Sequence, residues 1–261
     1  MSSGFKKSAS LLIDGIVPIS LNDVIGEVSF VIFSCGCNFR CPYCQNWPII
    51  EQANRICSVK HVDVIIKEIE GFKKFISYVQ ASGGEPTLQA DSIKILFQRV
   101  RSENLKTSLN TNGSNPIAIN DLIRSQLLDH LAMDIKTSLN PEKYAKAIGL
   151  PIEISKAYIE RIVKTLEIAS KMDFIEVRTT YVPGLVCESD LIEVADTLAS
   201  YLSKKRHFYV IQQYVPNQNA PDPKFRKGNI LDHSKLQEIA LKVREKLPNV
   251  VLRHMGGVEY L

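Results

Sequence analysis

Long apolar runs are missing from this sequence. The most apolar stretch near its start, residues 11–21, is broken by Asp14 and Pro18. It therefore reads neither as a secretory signal nor as a membrane span, which needs about 20 apolar residues. A cytoplasmic protein without membrane attachment is the expectation. A strong charge of one sign is missing too: the formal net charge is +4 and the pI about 8.6, which argues against a nucleic-acid partner. The basic runs Lys73-Lys74 and Lys204-Lys205-Arg206 read as solvated helix ends. Repeats and low-complexity tracts are absent. Histidine is sparse, at five residues, and no two share a metal-ligand spacing. No carboxylate pair marks a general acid–base site.

What is present is a core-forming pattern. Hydrophobic residues make up 45% of 261, enough for a sizeable core without disulfides. Runs rich in Val, Ile, Phe and Tyr predict strands at 28–33, 75–80, 106–110, 130–135, 174–180 and 207–213, with a short seventh at 250–253. Amphipathic segments lie between them. Residues 155–170 place Ile159, Ile162, Val163 and Leu166 on one face. Ser189 is expected to cap a helix burying Ile192, Ala195 and Leu198, and Asp232 one burying Leu236, Ile239 and Val243. Residues 58–72 and 88–103 fit the same template. Such alternation predicts an α/β fold, an incomplete TIM-type (βα)6 barrel with parallel strands and outer helices. An open doubly wound sheet fits as well, and in either case ligands gather at the C-terminal strand ends. One domain spanning 1–261 is expected, with a cysteine loop at 35–46 and a C-terminal loop and helix extension at 217–261.

Four of the six cysteines fall within ten residues, in Cys35-Gly-Cys-Asn-Phe-Arg-Cys-Pro-Tyr-Cys-Gln-Asn46, directly after the first predicted strand. Thiolates so close repel one another unless a cation neutralises them, so the loop reads as a metal site. Cys35, Cys37, Cys41 and Cys44 suit a four-thiolate zinc site. Cys37, Cys41 and Cys44 alone, spaced C-x3-C-x2-C, suit three corners of an iron–sulfur cubane whose fourth iron stays open. Spacing leaves both readings standing.

The C-x3-C-x2-C pattern, with Tyr43 before the last cysteine, resembles the signature of the radical S-adenosylmethionine superfamily. Ser82-Gly-Gly-Glu-Pro-Thr87 follows the second predicted strand. By itself it reads as a strand–helix turn in which Gly83 and Gly84 allow close backbone approach and Glu85 offers an acceptor. In the superfamily this segment holds the amino group of the cofactor's methionyl part. Asn110-Thr-Asn-Gly113 ends the third strand, Met133-Asp-Ile-Lys136 the fourth, and Arg178 lies in the fifth before Tyr181-Val-Pro-Gly184. An arginine in an apolar strand needs an acceptor, and a cofactor carboxylate is a suitable one. These motifs resemble a narrower group, the glycyl-radical-enzyme activases, over nearly the whole chain.

The resemblance implies one [4Fe–4S] cluster on Cys37, Cys41 and Cys44. It also implies S-adenosylmethionine held by Tyr43, Gly83, Gly84, Glu85, Asn110, Asn112, Asp134, Lys136, Arg178 and Gln213. It implies an electron donor such as flavodoxin or ferredoxin, and a partner glycyl radical enzyme such as anaerobic ribonucleotide reductase. Asn110 stands where the group often has Asp, and Gln212-Gln213 where some members have a histidine. Extra clusters are not expected, because residues 45–60 hold only Cys57 and the C-terminal half only Cys187. Cys57 and Cys187 read as small buried apolar groups, and Cys35 as a neighbour of the site rather than a ligand. The competing readings are radical modification of a small molecule or RNA, and a structural zinc module.

Overall fold

The computed structural model describes residues 9–51 and 53–261. In chain order the strands are β1 Ser10–Val24, β2 Glu27–Ser34, β3 Ser58–His61, β4 Tyr78–Gly83, β5 Lys106–Thr111, β6 His130–Asp134, β7 Phe174–Tyr181, β8 Arg206–Gln213, β9 Val250–His254 and β10 Gly257–Tyr260. The helices are the one-turn α1 Pro48–Glu51 and α2 Ala53–Ile56, then α3 Val62–Phe72, α4 Ala90–Ser102, α5 Pro116–Arg124, α6 Pro141–Ile148, α7 Ile152–Ala169, α8 Glu188–Leu198 and α9 His233–Arg244. Among the described residues no helix is long and apolar enough to cross a membrane.

The chain packs as two compact units. The first holds the residues up to Cys37, Pro48–Asn110 and Asp121–Asp129. Its strands run in the order β5-β4-β2-β1-β3. β2, β4 and β5 are parallel, while β1 is antiparallel to both β2 and β3. β2 is buried on both faces, as its unbroken apolar run requires. α3 buries Val62, Ile65, Ile66 and Ile69, and α4 buries Ile93, Leu96, Phe97 and Val100. Each such side chain contributes about 1.5–3 kcal/mol when fully buried.

Three boundaries in this unit differ from the sequence pattern. Residues 58–61 leave the expected helix to form β3, and His61 then caps α3, its Nδ1 accepting the Asp63 N–H at 3.3 Å. The strand expected at 75–80 begins at Tyr78 instead: Phe75 is 64% exposed and its N–H returns to the Phe72 carbonyl at the end of the helix. β1 was not expected at all. Pro18, which cannot donate to a ladder, falls in the register break between Val17 and Ser20.

The second unit holds Asn38–Trp47, Thr111–Asn120 and His130–Leu261. β6, β7, β8 and β9 are parallel neighbours, and β10 returns antiparallel to β9. β7 and β8 pair over their full length, from Phe174↔Arg206 to Tyr181↔Gln213. Tyr144 on α6, Ile162 and Leu166 on α7 and Tyr209 on β8 are core residues. α8 is capped by Cys187 rather than Ser189, and it buries Leu191 and Val194 where Ile192 was expected. Cys187 is therefore exposed, not a buried apolar group. Asp232 caps α9 as expected, accepting the Ser234 N–H at 2.9 Å.

The architecture is α/β with mostly parallel strands, β2, β4 and β5 in the first unit and β6 to β9 in the second. The strands do not close on themselves, since β3 and β10 are each paired on one side.

Candidate functional site

The cysteine loop leaves the end of β2, and its first residues are fixed within the first unit. The Cys35 N–H donates to the Leu12 carbonyl (2.9 Å) and the Gly36 N–H to the Ile49 carbonyl (3.1 Å). Cys35 forms a disulfide with Cys57, so Cys57 is not an isolated apolar group. Cys37, Cys41 and Cys44 are not in a disulfide. The four-thiolate zinc set is thereby broken, because its first member is already bonded.

The Gly-Gly-Glu-Pro turn presses on this same backbone. A Cβ on Gly83, whose φ is +107°, would strike Ser34, and one on Gly84 would strike the Gly36 carbonyl. In their place run two hydrogen bonds of 2.8 Å, from the Gly84 N–H to the Ser34 carbonyl and from the Glu85 N–H to the Gly36 carbonyl. The paired glycines thus bring two pieces of protein backbone together. The Glu85 carboxylate is fully buried and accepts from the Thr87 N–H (3.0 Å) and hydroxyl (2.5 Å). Asn110, at the end of β5, donates to the Ser82 hydroxyl at 3.0 Å.

The rest of the loop is held in the second unit. Asn112 Nδ2 donates to Asn38 Oδ1 (2.8 Å), Asn38 Nδ2 donates to the Ser114 hydroxyl (2.8 Å), and the Ser114 N–H returns to Asn112 Oδ1 (3.0 Å). This closed ring clamps the loop between Cys37 and Cys41. Phe39 is buried edge-on against Tyr158, with ring centroids 5.0 Å apart. The Arg40 N–H donates to the Ile148 carbonyl at 2.8 Å, and the Arg40 carbonyl fills the space a Cβ on Gly149 would need. Gly149 ends α6 in the left-handed region, φ 65°. The Asp222 N–H reaches the Pro42 carbonyl (3.1 Å) and Gln45 reaches the Val215 carbonyl (3.2 Å). Tyr43 is buried among Tyr214 and Phe225.

Lys136 supplies positive charge to this half of the loop. Its Nζ donates to Asp134 Oδ2 at 2.6 Å. Burial disfavours the ammonium, yet Asp134 first, then Tyr43 and Cys41, hold it charged beyond the usual lysine range. Burial pushes the Cys44 thiol up, and Lys136 pulls it partly back. A bound metal would displace the thiol proton, and Lys136 would then offset part of the thiolate charge. Three cysteines outside any disulfide on one loop suit three corners of a cubane with one iron left open.

Two of the expected contact residues, Arg178 and Gln213, also bond within the protein. Arg178 is buried on β7, and its acceptor is Glu176, at 2.9 Å from Nε and 2.6 Å from the terminal nitrogen. His130 and Arg253 approach the same carboxylate at 3.2 and 3.6 Å. Gln213, at the end of β8, donates to the Leu231 carbonyl (2.8 Å) and accepts the Met255 N–H (3.0 Å). Both side chains tie the protein to itself. Asn38 and Ser114 were missed by the sequence reading, because a clamp of partners 74 and 76 positions apart leaves no local pattern.

The profile of the Radical SAM superfamily matches residues 31–198. A protein of Methanocaldococcus jannaschii, provisionally named a glycyl-radical enzyme activating enzyme, is 32% identical over 247 residues, 94% of this chain and 97% of that one. A provisionally named GTP 3',8-cyclase of Methanococcus vannielii is 26% identical over 212 residues, 81% of this chain and 65% of that one. The pyruvate formate-lyase-activating enzyme of Staphylococcus epidermidis is 26% identical over 187 residues, 66% of this chain and 69% of that one. Among solved structures, Streptococcus suis SuiB bound to its precursor peptide superposes with a TM-score of 0.64 at 16% identity, covering 87% of this chain and 48% of that one; this likeness concerns the fold.

Proposed function

Because the chain belongs to the Radical SAM superfamily, we propose that it is a glycyl-radical-enzyme activase, taking a hydrogen atom from a backbone glycine of a partner enzyme such as anaerobic ribonucleotide reductase. The observation that carries this reading is the loop with three cysteines outside any disulfide, in a chain matched along 94% of its length by a relative provisionally named as such an activase. Cys37, Cys41 and Cys44 would hold one [4Fe–4S] cluster. Bound there with S-adenosylmethionine, the cluster supplies one-electron cleavage of that cofactor to a hydrogen-abstracting radical.

The chain's own residues position and enclose. Gly83 and Gly84 let the Glu85 turn lie on the loop backbone, so Glu85 offers a carboxylate already oriented by Thr87 to the cofactor's ammonium. Asn110 and Asp134 are assigned the remaining polar parts of the cofactor. Asn112 acts by holding Asn38, and Lys136 by offsetting thiolate charge. Tyr43 shields the loop from water through its packing on Tyr214 and Phe225. Arg178 and Gln213 are assigned further contacts to the cofactor, from side chains already oriented by Glu176 and by Leu231 and Met255. The single-domain reading rests on the interleaving of the two units along the chain, which no single cut separates. Flavodoxin or ferredoxin in the cytoplasm is the assigned electron source.

The test is anaerobic mixing of reconstituted protein, S-adenosylmethionine, a one-electron reductant and a candidate glycyl radical enzyme. A glycyl radical signal on the partner is expected. Cofactor cleavage that never yields a radical on any such partner overturns the activase reading. The GTP 3',8-cyclase relative favours a second reading, radical attack on a small molecule; nucleotide-dependent consumption of the cofactor without a protein partner would favour it.

A further inference from the structure

The five histidines show no ligand spacing along the chain, but folding brings two of them together with a carboxylate. His233 opens α9, His254 ends β9 and Glu259 lies on β10. Glu259 Oε1 is 2.7 Å from His233 Nε2 and 3.1 Å from His254 Nε2. The two imidazole centroids are 4.3 Å apart. One ligand atom from each residue lies within 4.8 Å of the other two.

We propose that His233, His254 and Glu259 bind one divalent transition-metal ion, zinc foremost, with water as the fourth ligand. Two imidazoles and a carboxylate form the protein donor set of open three-ligand zinc sites. Bonds of about 2.0–2.1 Å in tetrahedral array place ligand atoms roughly 3.3 Å apart. The oxygen–nitrogen distances of 2.7 and 3.1 Å need to open by only a few tenths of an ångström.

The surroundings supply what such a site needs. Gln237, one turn along α9 from His233, donates to Glu259 Oε2 at 3.2 Å and so orients the ligating carboxylate. The His254 side chain is 12% exposed, whereas His233 is 41% and Glu259 31% exposed, which leaves an entry path. His254 Nδ1 accepts the Gly256 N–H at 3.2 Å, which leaves the ring proton on Nε2, a buried atom with no hydrogen-bond partner, 3.1 Å from Glu259 Oε1. The ion takes that proton's place, the proton moves to Nδ1, and the contact with Gly256, in an exposed turn, is given up. The ion would join the first residue of α9 to the β9–β10 hairpin, next to the Gln213 tie that already holds Leu231 and Met255. This site is independent of the radical chemistry proposed above.

The test uses full-length protein with its cluster reconstituted and adventitious metal removed. Titration with Zn2+ alone is expected to show one ion per chain beyond the iron. Co2+ in its place is expected to give d–d absorption without a thiolate charge-transfer band, which separates this site from the cysteines. His254→Gln and Glu259→Gln are each expected to weaken Zn2+ binding by more than the ~100-fold that loss of a second-shell partner can cost, with iron content unchanged. His233→Ala, at an exposed helix start, gives the same loss without touching the core and decides the matter should His254→Gln not fold. Absence of stoichiometric zinc, a thiolate band in the cobalt form, or unchanged affinity in the variants overturns the proposal.

Discussion

The Gly36 carbonyl accepts the Glu85 N–H at 2.8 Å, so the residue before Cys37 is set by the Gly-Gly-Glu-Pro turn. Gly84→Ala would drive a Cβ into that carbonyl, which is backbone and has little room to yield. The expected result is a loss of roughly 1–3 kcal/mol together with lower iron and sulfide content after reconstitution. Gly15→Ala, where a Cβ meets nothing within 4 Å, is the control and should retain both.

Asn112→Ala removes one side of the Asn38–Ser114 ring. Leaving a partly buried amide short of a donor costs about 1–3 kcal/mol. The variant should melt earlier and release iron to a chelator faster than the parent, with the same number of irons at saturation. Reduced stoichiometry at saturation would instead make Asn112 more than a clamp.

Glu176 is the shared acceptor of a buried group of cations. Burial opposes its ionisation, but Arg178 first, then His130, hold its carboxyl far below the usual glutamate range. Burial lowers His130 from its ordinary 6.5. In both cases the native state binds fewer protons than the unfolded chain at acid pH, so stability falls with pH. The His130 contribution is lost as pH drops below about 6.5, and the Glu176 contribution as it drops below about 4.3. Urea unfolding at a series of pH values should show this slope. Glu176→Gln should cost about 3–5 kcal/mol at neutral pH, because Arg178 stays buried without its counter-charge, and should flatten the slope below pH 4.

The Cys35–Cys57 bridge closes a separation of 22 residues, for which chain entropy predicts about 3 kcal/mol of stabilisation. Cys57→Ser should lower stability by about that amount while iron loading stays at its parental value. Loss of iron in Cys35→Ser would instead restore Cys35 to the ligand set.

The parallel strands were legible because each is a buried run of branched and aromatic residues between amphipathic helices. β1 was hidden: Asp14, Gly15 and Pro18 break its alternation, and bulges rather than continuous pairing accommodate them. β3 and β10, four residues each, are too short to carry a pattern. At the site, the thiols could be read from their spacing, since one loop carries all three. The acceptor of Arg178 sits two residues away at Glu176 on the same strand face, a spacing that looks like coincidence until both are seen to be buried. The Asn38 clamp, the disulfide and the His233–His254–Glu259 group depend on long-range contacts that local patterns do not record.

The partners of the cysteine loop also fix an order of events during synthesis. Pro42 waits for Asp222, and Gln45 for Val215, 170 positions downstream. Contacts this distant in sequence form late, since loop closure must come first. A chain emerging from the ribosome therefore lacks the anchors of Pro42 and Gln45, on either side of Cys44, until residue 222 has been made. Metal insertion then belongs to the finished fold rather than to its nucleation, and thiol oxidation is the hazard of that interval.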